Sequence, residues 1–291
     1  MMLGIISAFI SAIFASLNDI IKKKVLKELN EITVITVASF FSMLIFFAIN
    51  LIMGFPYTDN TFWTAIYLSS SLNAFASLLM LRALKIADIS STVPLMALSP
   101  VFLLFTSFFM LGEVPSILGT TGVLAVVAGT YAINIHKSKY GLAEPIFELF
   151  KNEGSRLALI VGIIYGFTGP FDKIAVQHSN VFMSSFAFFV FTLIVFVPLF
   201  IFRVKPEEKK KVIANVRQVG LISIVGALMS YFQNTAYLLT LVPYAIAIKR
   251  TSVLFSVTFG GMLFKEKHLK QKVFAVLLMV AGLAMIVLGS I

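Results

Sequence analysis

This chain carries one half twice, and no other feature restricts its fold as strongly. Adding 153 to a residue number carries Asp19 onto Asp172, Ser77 onto Ser230, Ala83 onto Ala236, Ser99 onto Ser252, Phe102 onto Phe255 and Glu113 onto Glu266, without a gap. The run Val127-Ala128-Gly129 falls on Val280-Ala281-Gly282, and Ile133 falls on Ile286. Whatever the first half builds, the second builds again.

The repeated unit is apolar. The 291 residues are 59% hydrophobic and 12% charged, with a mean hydropathy of +0.99, a composition of polytopic membrane proteins rather than soluble domains. Crossing a hydrocarbon core takes about 20 apolar residues in a helix. Ten such stretches are present, at roughly 2–21, 32–53, 62–82, 89–111 and 116–135, then 157–176, 181–202, 218–239, 243–264 and 270–289. Backbone polar groups in lipid must be satisfied within the segment, and the period-2 alternation of a barrel is missing, so all ten are expected to be helices. With five spans in each half, the second copy enters the bilayer upside down. The expected fold is an all-α integral membrane protein: two inverted five-helix repeats, 1–135 and 157–291, around a central cavity, with a cytoplasmic linker at 136–156.

Charge supports the inversion. Lys and Arg gather in the loops after odd-numbered spans, which hold 20 of the 23; Lys173 alone falls in the other loops, and Lys249 and Arg250 lie inside span nine. Positive loops face the cytoplasm, so both termini are expected outside. The net charge of +10 suits anionic lipid and gives no reason to expect nucleic acid, since no basic soluble domain carries it. Within the linker, 145–150 reads either as a short interfacial helix or as part of a solvated tether, and the tether is favoured. The first stretch has no basic n-region and no cleavage site, so it reads as a retained span. Lys22-Lys23-Lys24 reads as an orientation signal.

Chemistry is mostly excluded. There are no cysteines, which removes disulfides and thiolate metal sites. His136, His178 and His268 fall in or beside loops without partners at ligand spacing, so no metal is expected. No P-loop, HExxH or GxSxG pattern occurs, which leaves no support for ATP-driven or hydrolytic chemistry; no cofactor and no enzyme activity are expected. An inverted repeat in a membrane is the architecture of secondary transporters.

Specific motifs narrow this further. Span four reads Ser90-Ser91-Thr92-Val93-Pro94, then Leu98-Ser99-Pro100-Val101-Phe102, and closes with Leu111-Gly112-Glu113. Its two prolines should kink it. Span nine carries the related run Ile248-Lys249-Arg250-Thr251-Ser252-Val253-Leu254-Phe255 and closes with Phe264-Lys265-Glu266. With an Ala-Leu near the end of span three and a Gly-containing span five, these features resemble the EamA family of the drug/metabolite transporter superfamily. The resemblance covers both halves. It implies a ten-helix bundle, alternating access, and export or exchange of small metabolites. Lys265 in the place of Gly112, and the missing proline after Ser252, make the second copy depart from the pattern.

Lys249 and Arg250 are the sharpest candidates for a site. By helical rise they lie about 9 Å from Pro243 and about 21 Å from Phe264, within the hydrocarbon depth. A charge at the centre costs about 2.5–3.5 kcal/mol on insertion scales, so each should face a cavity or a partner, or else snorkel to the surface. Asp172 reads either as their ion-pair partner, with Lys173 beside it, or as the polar end of its helix; Asp19 is its copy. Asn73, Ser77, Tyr231, Gln233 and Asn234 are candidates for substrate contact or interhelical glue. Glu113 and Glu266 read as gates or as structural ties at helix ends, with ties favoured. Thr168-Gly169-Pro170 should interrupt span six and expose backbone to a cavity. The expected function is a secondary transporter exporting a small polar metabolite across the inner or plasma membrane, with the bilayer and a coupling proton as partners. The alternatives are an exchanger of carboxylate or phosphate metabolites, a membrane-embedded enzyme, or a non-transporting subunit.

Overall fold

The computed structural model describes residues 1–86, 95–96, 98–135, 152–252, 255 and 269–290. Eleven helices and no strands occur among them. The first half contributes α1 (Met2–Val25), α2 (Glu31–Met53), α3 (Asn60–Ile86), α4 (Ser99–Leu111) and α5 (Ile117–Ile135). The second contributes α6 (Glu153–Gln177), α7 (Val181–Arg203), α8 (Pro206–Ala214), α9 (Val216–Leu239), α10 (Val242–Arg250) and α11 (Leu269–Gly289). Five of them (α1, α2, α6, α7 and α9) are long and apolar enough to cross a bilayer; α4 and the described apolar parts of α5 and α11 are shorter.

Polar residues end the helices where the sequence breaks them. Asn30 accepts from the Thr33 N–H at the start of α2 and Asn180 from the Met183 N–H at the start of α7, each satisfying a donor that the first helical turn leaves open. Helix α8 lies in a stretch expected only as a basic loop. Pro206 opens it, Glu207 and Glu208 sit in its first turn and Lys211 in its last, an order that suits the helix dipole. Glu208 then accepts from the Asn30 N–H, the Asn30 amide and the Thr33 hydroxyl at 2.7–2.8 Å, so α8 is clasped to the start of α2.

The halves interlock rather than sit side by side. Helix α1 packs along α9 and α6 along α3, equivalent pairings once the halves are exchanged; α2 against α9 and α3 against α7 form a second such couple. Helix α5 packs on α11, its own counterpart, and α2 on α7. At the α5–α11 crossing a Cβ on Gly122 would stand 2.6 Å from the Gly282 carbonyl oxygen, and one on Gly282 would stand 2.7 Å from the Gly122 oxygen. A Cβ on Gly129, the equivalent of Gly282, would meet the Ala275 oxygen at 2.7 Å. Lipid supplies no hydrophobic drive between helices, so such close backbone approach holds them.

One expectation changes. In span four, α4 starts at Ser99 with Pro100 in its first turn, where a missing N–H costs nothing; Pro94 lies outside the described residues. Span six is not interrupted. Helix α6 runs unbroken through Pro170. That proline leaves the Gly166 carbonyl without its helical donor, and the Thr106 hydroxyl of α4 donates to it instead. Helix α6 also begins at Glu153, a few residues before the expected span. The stretches 87–94, 136–151 and 256–268 lie outside the described residues; they hold Pro94, the 145–150 segment, His136, His268 and Glu266.

Candidate functional site

A cavity of about 410 Å³ lies between the halves. Its lining includes both members of three equivalent pairs: Ala15 and Thr168, Asp19 and Asp172, Ser99 and Ser252. Both halves therefore contribute equivalent positions to it. Helix α1 supplies Asn18, Asp19 and Lys22; α3 supplies Asn73; α6 supplies Tyr165, Thr168 and Asp172; α9 supplies Gln233, Asn234 and Tyr237; and α10 supplies Lys249 and Arg250.

Lys249 and Arg250 occupy the last turn of α10, where the negative end of the helix dipole favours cations. Arg250 donates to the Ser99 hydroxyl of α4 at 2.6 Å, while its Nε is buried and has no partner among the described residues. Asp172 accepts a short hydrogen bond from the Ser69 hydroxyl of α3. Among the described residues, no cation stands within 4.0 Å of Asp19 or Asp172, and no carboxylate stands that close to Lys22, Lys249 or Arg250. Two carboxylates and three cations thus line one cavity, a formal sum of +1, with Asp172 held by Ser69 and Arg250 by Ser99. Lys249 shares the cavity lining with both Asp172 and Asp19.

The sequence candidates divide. Asp19, Asp172, Asn73, Gln233, Asn234, Lys249 and Arg250 line the cavity. Ser77 and Tyr231 are not in its lining: Ser77 donates back to the Asn73 carbonyl at 2.8 Å, and the Tyr231 ring stacks on Phe182 at 5.3 Å. Lys173 does not join the charged group. It pairs with Glu113 at 2.6 Å and donates to the Thr240 carbonyl at 2.8 Å, and both members of the pair are buried. The other Glu113 oxygen accepts from the Val242 N–H at the start of α10. Gly112 enables this by closing α4 in the left-handed conformation, at φ 66°, so the chain turns and aims Glu113 at α6. The Gly-Glu motif is thus a tie between α4, α6 and the α9–α10 junction.

At that junction's side of α6, His178 pairs with Asp59 at 2.7 Å. The Phe62 N–H and then His178 hold the Asp59 carboxyl below its ordinary range. Lys22, read from sequence as an orientation signal, reaches the cavity because α1 continues past it to Val25. Tyr165 and Tyr237 were not legible as site residues: an aromatic inside an apolar span has the same pattern whether it packs or lines a cavity.

The sequence profile of the EamA-like transporter family matches residues 2–135 and again 153–288. The chain belongs to the EamA-like transporter family. This EamA protein is accordingly a multi-pass membrane protein built of two family repeats. One solved structure, a protein crystal structure 14% identical in sequence, superposes with a TM-score of 0.76 over 98% of this chain and 96% of that one; at that identity it speaks to the fold alone. No curated protein matches the chain.

Proposed function

We propose that this EamA protein is a secondary transporter that exports a small polar metabolite by alternating access across the inner or plasma membrane. The observation that carries the reading is the charged cavity between the repeats, lined by equivalent residues of both halves and containing five charged side chains without an ion pair among the described residues. Intramembrane charges left unpaired belong to ligand pathways far more often than to scaffolds. Ten spans, an axis in the membrane plane, both termini outside and a cytoplasmic 136–156 complete the proposal; the loop charges support it. Reporter fusions at Ile291 test the orientation: a fluorescent cytoplasmic reporter would reverse it. Purified protein in vesicles preloaded with a metabolite panel should give saturable, substrate-specific efflux. Silence across the panel, with folded protein in the membrane, would favour the non-transporting reading.

A specific observation favours an anionic cargo as the second reading. The Arg250 guanidinium is held by Ser99 on one side and keeps a buried Nε without an acceptor. A carboxylate or phosphate would fill it with a charge-assisted bond. Succinate and phosphate in the panel separate this from export of neutral metabolites, because only anions would compete with one another.

A further inference from the structure

The connection between α7 and α9 is built unlike its counterpart in the first half. Residues 203–217 hold Arg203, Lys205, Lys209, Lys210, Lys211 and Arg217, whereas the equivalent residues 50–64 hold no Lys or Arg. Orientation in the bilayer asks only that such charge be present in the loop. Here much of it is carried on a helix that is fixed to the protein along its length. Glu208 of α8 accepts from Asn30 and Thr33. Asn215, which ends α8, donates to Glu28 at 2.9 Å. Val212 packs against the buried cluster of Val25, Leu29, Val34, Val219 and Ile222. Lys209 donates to the Ile201 carbonyl in the last turn of α7 at 3.1 Å and lies over the Phe200 ring.

These contacts sort the charges. Glu208 and Lys209 are turned to the protein. Arg203, Lys205, Lys210, Lys211 and Arg217 are exposed, with Glu207 the one exposed acid on α8, and none of the five cations forms an ion pair among the described residues. Apolar side chains stand among them: Phe202 is 86% exposed and Ile213 78%. Cations interleaved with apolar groups, at the end of a helix long and apolar enough to cross a bilayer, suit the boundary where headgroups meet acyl chains. A nucleic acid or an acidic protein would match the cations but would leave Phe202, in the last turn of α7, uncovered. We propose that α8 and its flanking residues form a binding surface for anionic phospholipid, with the headgroups on Arg203, Lys205, Lys210, Lys211 and Arg217 and the upper acyl chains against Phe202 and Ile213. Glu208 and Asn215 tie this surface to the turn between α1 and α2, so lipid held there is linked to an element of each half. Such a surface serves a transporter and a non-transporting membrane subunit alike.

The chain has one tryptophan, Trp63, which permits a test that needs no cargo. The full-length protein carrying Trp63→Phe and Ile213→Trp has its only indole on the proposed surface. In phosphatidylcholine vesicles, brominated phosphatidylglycerol should half-quench this indole at a mole fraction on the order of ten-fold lower than brominated phosphatidylcholine does. Lys210→Gln, Lys211→Gln and Arg217→Gln together should remove most of that preference. Lys137→Gln, Lys139→Gln and Lys151→Gln together remove as many cations from the 136–156 linker and should leave it intact. Salt at about 1 M, where charges are screened beyond about 3 Å, should weaken the preference of the protein with its cations unaltered, a readout that stands even if size exclusion shows the triple variant misfolded. Millimolar inorganic phosphate at matched ionic strength should leave the preference as it was. Equal quenching by the two lipids, indifference to salt, a folded α8 variant that keeps the preference, or equal losses from the two triple variants would overturn the proposal. Displacement of the brominated phosphatidylglycerol by RNA or polyglutamate at matched ionic strength, or by inorganic phosphate, would overturn it by giving the surface to a soluble anion.

Discussion

The α5–α11 crossing and the α4–α10 crossing each join equivalent spans of the two halves, but the first sets like residues against like while the second sets a guanidinium against a hydroxyl. At α5–α11, Gly282 lies over Gly122 and Gly129 lies over Ala275, so each half presents the other with the same small surface. At α4–α10, Arg250 reaches across to Ser99, while the residue equivalent to Arg250 is Ala97, and that equivalent to Lys249 is Met96. The difference reflects what each crossing must satisfy. A helix pressed against its own counterpart meets the same steric demand from both sides, and any side chain added on one would have to be accommodated on the other. A cavity has to fit a cargo, and a small metabolite has no reason to share the two-fold symmetry of its carrier.

The hardest way to break this comparison is at the symmetric crossing. Gly122→Val and Gly282→Val should each abolish folded protein, because the added atoms meet carbonyl oxygens rather than yielding side chains; overpacking costs about 1–3 kcal/mol even where neighbours can move, and more where they cannot. Fluorescence-detected size exclusion would read this, and the two variants should fail alike. A monodisperse peak from one and not the other would mean that the crossing is less symmetric than its geometry.

The next effect should be one-sided. Lys173→Met leaves Glu113 buried without its cation, a change worth about 3–5 kcal/mol, whereas the equivalent position, Ile20, should accept leucine for less than about 1.5 kcal/mol. Thermal melts in detergent would separate them. Equal losses would place the two ends of the molecule under the same constraint.

Within the cavity, Arg250→Ala and Lys249→Ala should stop transport at matched amounts of folded protein. Arg250→Lys should weaken it about ten-fold, since hydrogen bonds to charged groups contribute about 1.5–3 kcal/mol and a lysine cannot present the same fork. Vesicle flux at several concentrations would show this as a rise in KM. Wild-type flux in both alanine variants would mean that these side chains only snorkel.

The smallest effect belongs to the surface pair. Asp59 is held below its ordinary range by the Phe62 N–H and by His178. A depressed carboxyl contributes stability that is present above its unfolded value and is lost as pH falls through the folded one. Melting temperature should therefore dip slightly as pH drops below about 4, and Asp59→Asn should flatten that dip. The equivalent residue, Val212, should give no acid-dependent change when replaced by alanine.

Much of the site was legible because charge inside apolar sequence is rare. Lys249, Arg250, Asp172 and Asp19 stand out against their spans, and all four meet in one cavity. Ser77 and Tyr231 carried the same polar signal and lie elsewhere, since a hydroxyl in a membrane helix can satisfy itself on its own backbone, as Ser77 does on Asn73. Lys173, beside Asp172 in the sequence, serves another interface for a related reason. Sequence neighbours on a helix point about 100° apart, so a lysine beside a cavity carboxylate can serve a different interface, here that of Glu113.

The sequence by itself determined the duplication, the apolar spans and the family, because burial in lipid imposes length and hydropathy on each segment separately. Helix ends were likewise local, set by residues such as Asn30, Asn180 and Gly112. The partnerships were left to tertiary structure. That Thr106 would stand in for the donor lost at Pro170, that Glu113 would tie α4 to α6 and α10, that Lys22 would reach the cavity and that Lys249 would share it with two carboxylates all depend on how helices far apart in the chain cross. Those crossings follow from the fit of whole surfaces, which no single stretch of residues encodes.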